Sequence, residues 1–360
     1  MRGQWTGLYT GRNAGDGFVT VDLDQIGDYV EGWATTNPAD LSHPAAMAKI
    51  KLPKDLKDKT ELTVDVSSFN RATNEAILSS SALALPQKAK ISFERSESAL
   101  IIQAVTDIET GLSANLTRSD LSAPSLYAPG TNSWSEFRAF AQLEPYRKFV
   151  YRGQSKPYRL RTSFHRTGRA DMRRYNQVDI PALHRHLSAQ TQQPFNIDMA
   201  DHRGAFLNLV QHHGYPTPLL DWTYSPFIAA FFAFQKIENP AGVVRVIRFD
   251  HEHWLRTNPL RLANMNALIP HFSMIEFVSS IDNKRQIPQQ SASSITNVAD
   301  IELYLSDTGK FVGYDHLKVF DMPMSERRVA MRDLDMMGIT AGSLFPGLDG
   351  ACEEFRERMF

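Results

Sequence analysis

Leu219-Leu220-Asp221-Trp222-Thr223-Tyr224-Ser225-Pro226, followed by the apolar residues 227–234, predicts a strand that leads into a sharply capped helix. Ser225 suits the N-cap, because its hydroxyl can accept a hydrogen bond from an unpaired amide of the first turn, and Pro226 suits the first helical position. From Phe227 onward, apolar residues recur at i, i+3, i+4 and i+7, which indicates one buried helical face.

A second strand is predicted upstream by Phe149-Val150-Tyr151-Arg152-Gly153-Gln154. It delivers an arginine and a glutamine beside a glycine, where the guanidinium fork can bind a phosphate or carboxylate and the backbone can approach a ligand closely. Two strand ends beside a helix N-terminus also indicate a site, since the free amides of the first turn attract anions. We therefore expect one pocket lined by Arg152, Gln154, Asp221, Thr223 and Gln290.

Each of these side chains also has a purely structural interpretation. Arg152 can pair with Asp221 and tie the two strands together. Gln154 can orient a ligand or satisfy backbone groups of a turn. Thr223 and Ser225 can bind ribose hydroxyls, although helix capping already accounts for Ser225. The sequence leaves these alternatives open.

The composition is that of an ordinary globular protein longer than one average domain. The chain has 360 residues and a net charge of −1, which disfavours binding of polyanions over the whole surface but allows a local basic face. Cys352 is the single cysteine, so neither an intramolecular disulfide nor a cysteine-based zinc site is expected, in keeping with a reducing cytoplasm. With no N-terminal apolar run and no 18-residue hydrophobic segment, we expect neither a signal peptide nor a membrane span.

Residues 1–121 have the pattern of an all-β accessory or sensor domain. Short runs of alternating apolar and polar residues are separated by Gly, Asp, Asn and Pro, which indicates a barrel or a sandwich. The predicted strands are residues 5–10, 18–23, 29–34, 48–52, 61–66, 89–94, 100–104 and 114–118. Helical content should be low, with one helix expected around residues 74–83.

The pattern changes after residues 122–131, which are rich in Ser, Pro, Gly and Asn and are interpreted as a linker. Residues 132–360 mix helices and strands, so the predicted fold class is α+β, with an all-β barrel or sandwich preceding a mixed domain. Ser133 and Glu136 have the spacing of a capping box that opens a helix. Further predicted elements are a helix at residues 201–213, a buried strand at 243–249, a helix end at 334–338 and a short terminal helix.

The histidines offer candidate bases and metal ligands. His212 and His213 end the predicted helix, where the helix dipole favours a protonated ring, and either could act as a base if it faced Asp221 or the Thr223 hydroxyl. Two further pairs are spaced i, i+2 and do not face one another on a helix, so no metal site is expected. These pairs are His184/His186 and His251/His253.

Residues 146–174 are strongly basic, with ten Lys or Arg opposed only by Asp171 and with aromatic residues interleaved. This pattern fits a nucleic-acid face, in which cations contact phosphates and rings stack on bases. It equally fits the positive rim of a dinucleotide pocket. A third interpretation is a solvated surface whose acids come from elsewhere in the fold.

Several motifs together resemble the bacterial FRG domain over residues 130–360. They are Tyr151-Arg152-Gly153-Gln154, Gln211-His212-His213-Gly214, Pro216-Thr217 with Leu219-Leu220-Asp221-Trp222-Thr223, Met337-Gly338-Ile339, and Leu344-Phe345-Pro346-Gly347-Leu348-Asp349-Gly350. The resemblance implies a bacterial effector in phage defence or a toxin-type conflict. It implies no particular activity.

A second resemblance, to the arginine-type ADP-ribosyltransferase fold, supplies a chemistry. Val150-Tyr151-Arg152-Gly153 is similar to the strand whose arginine binds the NAD pyrophosphate, and Asp221-Trp222-Thr223-Tyr224-Ser225 is similar to the strand that braces the nicotinamide ribose. Residues 285–290 stand where the family carries its catalytic glutamate and contain no carboxylate, so Asp221, or Glu302 after it, would have to substitute. The implied catalytic residues are Arg152, Asp221, Thr223 and Gln290. The implied cofactor-binding residues are Tyr151, Arg152, Gly153, Gln154, Thr223 and Ser225, with NAD as the cofactor and no metal.

Three classes of function follow from the sequence. The first is an NAD-using enzyme, either a transferase or a glycohydrolase, that the β domain regulates as a sensor. The second is an effector that acts on nucleic acid through residues 146–174. The third is a non-catalytic module for ligand binding or assembly. We favour the first class, with a nucleotide ligand and a protein or nucleic-acid target as partners.

Overall fold

The computed structural model describes residues 1–13, 15–40, 42–55, 59–71, 73–80, 84–96, 99–128, 130, 132–190, 194–257, 268–275 and 283–359. Within these ranges the chain forms a β-barrel followed by a mixed region of helices and strands, as predicted for the α+β class. The strands of the first part are β1 Gly3–Arg12, β2 Gly17–Ile26, β3 Tyr29–Pro38, β4 Ala45–Pro53, β5 Thr60–Phe69, β6 Ala76–Ile77, β7 Lys88–Arg95, β8 Ala99–Thr106 and β9 Gly111–Thr117. Every strand predicted in this part is present.

The described strands close into a barrel rather than stacking as a sandwich. Neighbouring strands pair antiparallel in the order β4-β3-β2-β1-β9-β8-β7-β5, and β4 also pairs with β5 through Ala45 opposite Phe69 and Ala48 opposite Val66. The short strand β6 is added to β5 outside this ring. Alternation along each strand places one set of side chains inside the barrel, where Val21, Ile50 and Phe93 are fully buried.

The helix expected around residues 74–83 is wrong in its described part. Ala76 and Ile77 instead form β6, which pairs with Phe69 and Ser68 of β5. Residues 81–83 of the predicted helix lie outside the described residues. The neighbouring strand supplies the backbone partners of this segment, so tertiary pairing overrides the weak local helical pattern.

The mixed region is built on a second, antiparallel sheet, whose order among the described strands is β13-β14-β11-β10-β12-β15. Its strands are β10 Val150–Gln154, β11 Leu219–Thr223, β12 Val243–Phe249, β13 Phe272–Ile275, β14 Ser291–Thr296 and β15 Leu317–Pro323. Its helices are α1 Trp134–Leu143, α2 Ser163–Arg166, α3 Met172–Arg174, α4 Ile180–Leu187, α5 Ala200–His212, α6 Pro226–Gln235, α7 His251–Thr257, α8 Ile301–Val312, α9 Arg327–Met336, α10 Ala341–Leu344 and α11 Leu348–Met359.

Helix ends in this region follow the local signals in the sequence. The Ser133–Glu136 capping box forms at the start of α1, and Ser225 caps α6 with its hydroxyl on the amide of Ile228. Helix α5 ends before Gly214, whose φ of 87° is a conformation that favours glycine. These capping predictions are confirmed.

The second sheet is covered by helices on both faces. Side chains alternate along β10, so that Tyr151 packs with α1, α6 and α9 on one face while Val150 packs with Trp222 and Phe249 on the other. Helices α7 and α8 cover the Val150 face through Trp254 and Ile301. A third cluster, around Phe206 of α5, includes Leu219 and so continues the face of Tyr151. Because α6 is apolar on nearly every side, it is buried against the sheet along most of its length.

The predicted linker is held firmly against the mixed region. The buried carboxylate of Glu302 accepts hydrogen bonds from the Ser125 hydroxyl at 2.9 Å and from the amide of Leu126 at 2.7 Å. Arg245, paired with Asp321, also donates to the Ser125 hydroxyl at 2.7 Å. Glu302 therefore anchors the linker, and it does not lie among the lining residues of the candidate pocket described below.

The linker also pairs through its backbone with β15, the outermost strand of the second sheet. The amide of Asn132 donates to the carbonyl of Asp321 at 2.8 Å, and the amide of Asp321 donates to the carbonyl of Gly130 at 3.2 Å. Gly130 and Asn132 therefore extend the sheet by one short segment at the edge of β15 that faces away from β12.

The barrel contacts the mixed region through buried polar groups. The carboxylate of Asp24 in β2 accepts hydrogen bonds from the Arg169 side chain at 2.7 Å and from the amide of Ala170 at 2.8 Å. The side-chain amide of Gln4 in β1 donates to the carbonyl of Asn297 and accepts from the amide of Ala299, both at 2.8 Å. These contacts fix the barrel against the loops around the second sheet.

Acidification is expected to destabilise the fold through His165, which lies in α2 and is 1 % exposed. Burial lowers the pKa of His165 from 6.5 to about 3. Between these values the unfolded chain binds a proton that the folded chain does not, so the free energy of unfolding falls as the pH decreases. From pH 7 to pH 5 this group should contribute a loss of about 2 kcal/mol.

Urea unfolding at pH 7 and pH 5 measures this loss. His165→Asn lowers stability at both values but should show a smaller difference between them than the wild type. His213→Asn serves as the control, because His213 is exposed, and it should keep the wild-type pH dependence. An equal pH dependence in His165→Asn and wild type would contradict the assignment.

Among the described residues, none of the helices combines the length and the apolar character needed to cross a membrane.

Candidate functional site

A pocket of about 390 Å³ lies where β10 and β11 meet helix α6, within the size range of small-molecule sites. Four of the five residues expected to share a pocket line it, namely Arg152, Gln154, Asp221 and Thr223. The other lining residues are Tyr151, Gly153, Ser155, Tyr158, Arg166, Asn208, His212, Trp222, Phe232, Gln235, Lys236, Glu238, Gln289, Ser291 and Phe345.

Arg152 presents its guanidinium to this pocket from β10. Nη1 donates to the backbone carbonyl of Asp221 at 2.6 Å, whereas Nε is buried and has no hydrogen-bond partner among the described residues. Burial lowers the pKa of Arg152 to about 10, and the nearby Asp221 carboxylate opposes this shift. Arg152 therefore ties the two strands together, but through a backbone carbonyl, so its charge is not neutralised by direct pairing with the Asp221 carboxylate.

Gln154 is the second polar group of β10 in the pocket wall. It is 6 % exposed, and neither its Nε2 nor its Oε1 has a hydrogen-bond partner in the part of the chain that the structure describes. The structural alternative, in which Gln154 satisfies a turn, is therefore not what the geometry shows. Leaving buried amide atoms unpaired costs about 1–3 kcal/mol per group, so a bound group that pairs with them would be stabilised.

Asp221 is oriented by a short chain of hydrogen bonds. Gln211 of α5 donates to the Asp221 carboxylate at 2.5 Å, and the buried Thr217 hydroxyl donates in turn to the Gln211 side chain. His212, next to Gln211, also lines the pocket. Burial lowers the pKa of His212, and the nearby Asp221 carboxylate opposes part of this shift. His213 is exposed, so only the first of the two candidate histidines reaches the site.

Thr223 and Ser225 are engaged in the structure of the strand end. The Thr223 hydroxyl donates to the carbonyl of Gln289 at 2.8 Å and accepts from the amide of Ser225 at 3.1 Å. Ser225 caps α6 and is not among the pocket residues. The structure thus favours the capping interpretation of Ser225 and gives Thr223 a positioning role between β11 and the turn before β14.

Gln290 lies outside the pocket. Residues 284–290 form a turn, in which Gln290 is exposed with a φ of 47°. Gln289 points inward instead, with its side-chain amide donating to the carbonyl of Leu344 at 3.0 Å. Strand β14 begins only at Ser291, so Gln290 precedes the strand and does not line the pocket as expected.

The pocket lies beside the C-terminal half of α6, not at its N-terminus. Phe232 and Gln235 line it, whereas Pro226 and Phe227 do not. The free amides at the start of this helix therefore do not line the pocket, and its positive charge is supplied by side chains. The reason is the close crossing of α6 over β10 at Gly153, where an added Cβ would lie 1.9 Å from the carbonyl oxygen of Ala229.

Several pocket residues were not singled out as site residues from the sequence. Arg166 and Lys236 add cations, Asn208 adds an amide, and Phe345 forms an apolar wall with Phe232 at a ring distance of 6.0 Å. Two signals were available in the sequence: Phe345 belongs to the Leu344-Phe345-Pro346 motif, and Arg166 belongs to the basic stretch 146–174. The other residues lie on separate elements, and their approach depends on tertiary structure.

The basic residues 146–174 do not form a free cationic surface. Arg159 pairs with Asp300 at 2.6 Å, and Arg169 pairs with Asp24 of the barrel at 2.7 Å. Two further arginines lie over aromatic rings, Arg147 over Tyr224 and Arg173 over Trp33. Lys156 contacts the carboxylate of Glu238, and Arg161 donates a hydrogen bond to the carbonyl of Ala299. Much of the charge is therefore met by acids and rings from elsewhere in the fold, as the third interpretation of this stretch expected.

The described residues contain no group of three or more His, Cys, Asp or Glu side chains placed to hold a metal ion. His253 contacts His316 instead, with 3.3 Å between Nδ1 and Nε2, and stacks on Tyr314. His184 packs edge-on against Phe206.

Comparisons with known proteins give a family match for part of the mixed region. No curated protein matches it. Among solved structures, a redesigned β-barrel is similar at 13 % identity and a TM-score of 0.23, over 33 % of this chain and 91 % of that one. The resemblance expected over residues 130–360 is found over a shorter segment, which contains Arg152, Gln154, His212 and Asp221. Residues 147–241 match the family model of the FRG domain.

Proposed function

We propose that the pocket binds a nucleotide with a pyrophosphate group, and that NAD is this ligand. The observation that carries the proposal is the combination, in one pocket, of the Arg152 guanidinium with an unpaired Nε and the buried amide of Gln154 with no partner among the described residues. An arginine fork suits phosphate oxygens, and the amide suits the hydroxyls or carbonyls of a nucleotide. The apolar walls of Phe232 and Phe345 suit a flat ring.

Charge in the pocket supports an anionic ligand over a neutral one. Arg152, Arg166 and Lys236 supply three cations among its described lining, against the carboxylates of Asp221 and Glu238. Glu238 is engaged by the hydroxyls of Ser155 and Tyr158, which lower its pKa. Asp221 is the acid closest to Arg152.

The further steps of this proposal are cleavage of NAD, or transfer of its ADP-ribose, by a bacterial effector of phage defence. Asp221 would stabilise the positive charge that develops on the ribose, with His212 beside it as a base. The resemblance of the two strands to those of ADP-ribosyltransferases is the reason for choosing NAD among pyrophosphate ligands. Incubation with NAD, followed by measurement of released nicotinamide, tests these steps separately from binding.

Arg152→Ala is expected to weaken NAD binding by about 1.5–3 kcal/mol, because a charged hydrogen bond to the pyrophosphate is lost. Isothermal titration calorimetry measures this change. Lys156→Ala is the control, because Lys156 does not itself line the pocket and makes only a solvent-exposed contact with the lining residue Glu238. This variant should bind NAD nearly as well as the wild type. Absence of wild-type binding at millimolar NAD, or equal losses in both variants, would contradict the proposal.

A further inference from the structure

The interior of the barrel contains a second cavity, of about 260 Å³. It lies at the barrel end formed by the β1–β2, β3–β4 and β8–β9 connections, which contribute Asn13, His43 and Ile108 to its lining. The contacts of Gln4 and Asp24 with the mixed region are made near the other end of the same strands. This cavity is therefore separate from the candidate nucleotide pocket.

The sequence explains why one end of the barrel is filled and the other is hollow. Large side chains, including Trp5, Leu52 and Phe93, fill the interior towards the mixed region. At the opposite end the inward positions on successive strands are small, as in Ala46, Ala89 and Ala104. Protein interiors are normally packed as densely as organic crystals. A space of this size in a closed barrel is therefore unusual, and it results from the small side chains at this end.

The cavity wall is apolar, with one buried polar group that lacks a partner. Alternation along β5 places Ser68 on the inner face with Val64 and Val66. Ser68 is 5 % exposed, and within the described residues its hydroxyl makes no hydrogen bond. None of the described lining residues is Asp, Glu, Lys or Arg, so the wall offers a charged ligand no opposite charge.

We propose that this end of the barrel binds a small, uncharged, apolar molecule that carries one hydrogen-bonding group, which pairs with the Ser68 hydroxyl. A cavity of about 150 Å³ lined by aliphatic and aromatic side chains accommodates benzene, so the larger space here accommodates a fused bicyclic molecule or one of similar size. Eight-stranded barrels elsewhere hold one small ligand in the same place. This inference does not depend on the proposed binding of NAD.

The test uses the full chain and 1-naphthol, an uncharged fused bicyclic molecule with one hydroxyl, whose neutral-form fluorescence rises in apolar surroundings. A saturable increase at one probe per chain is expected. Ala104→Leu should weaken binding about tenfold or more, because the added side chain occupies the space of the probe. Val105→Leu, on the exposed face of the same strand, should leave binding unchanged. Ser68→Ala should weaken binding about two- to tenfold through loss of one hydrogen bond.

Thermal melting establishes that each variant is folded. If Ala104→Leu fails to fold, Ala89→Val on the neighbouring strand fills the same space and replaces it in the comparison. The proposal is overturned if the wild type shows no saturable fluorescence increase. It is equally overturned if a folded filling variant and Val105→Leu bind the probe alike. Failure of NAD to bind the other pocket would leave these outcomes unaffected.

Discussion

Replacement of Asp321 by Ala is expected to lower the free energy of unfolding by about 3–5 kcal/mol, because it leaves a buried arginine without its counter-charge. Arg245 and Asp321 form a two-pronged pair with distances of 2.7 and 2.8 Å, and their side chains are 1 % and 0 % exposed. Arg245 also donates to Ser125 and to the carbonyl of Tyr127 in the linker. Loss of Asp321 should therefore loosen the linker as well as the sheet.

Urea unfolding followed by circular dichroism measures this loss. Asp28→Ala removes the acid of an exposed pair with Lys54 and should leave stability close to that of the wild type. The double variant Arg245→Met with Asp321→Leu should be less destabilised than Asp321→Ala, since it removes both buried charges. A wild-type midpoint for Asp321→Ala would rule out the assigned role of the pair.

Gly153→Ala is expected to destabilise the protein by about 3 kcal/mol, at the upper end of the usual cost of overpacking. The added Cβ would lie 1.9 Å from the carbonyl oxygen of Ala229 and 2.7 Å from the amide nitrogen of Ala233, and both belong to the backbone of α6. The helix would have to move away from β10, which would also widen the pocket between them.

The matched control for Gly153 is Gly204→Ala in α5, where an added Cβ meets nothing within 4 Å. This substitution should stabilise the protein by about 0.5–1 kcal/mol, because alanine is the better helix former. If the close crossing at Gly153 is correctly assigned, thermal or urea unfolding should show a lower free energy of unfolding for Gly153→Ala and a higher one for Gly204→Ala. If both variants were destabilised to a similar extent, the close approach of α6 would not be the reason for a glycine at position 153.

Local features of the fold were predictable because their causes lie within a few residues. Alternation predicted the barrel strands, and Ser133 and Ser225 predicted helix starts through their own hydroxyls. The choice between a barrel and a sandwich was not predictable, because alternation is the same in both. It was decided by the pairing of Ala48 with Val66, which closes the ring.

Features of the site that depend on distant residues were predicted less well. The basic stretch could not be assigned from sequence, because partners such as Asp300 lie more than a hundred residues away from it. The position of α6 over the pocket depends on the contact between Gly153 and Ala229. Gln289 rather than Gln290 faces inward because the turn ends with a positive φ, which the residue types of this segment do not indicate.

The backbone pairing of Gly130 and Asn132 with Asp321 has a practical consequence for work on the second half of the chain. An unprotected strand edge is a template on which another chain can add, and it promotes aggregation. A truncated protein that begins at Ser133 would lose both hydrogen bonds and expose this edge of β15. A fragment that carries the candidate pocket without the barrel should therefore begin before Pro124, so that the linker continues to cover this edge.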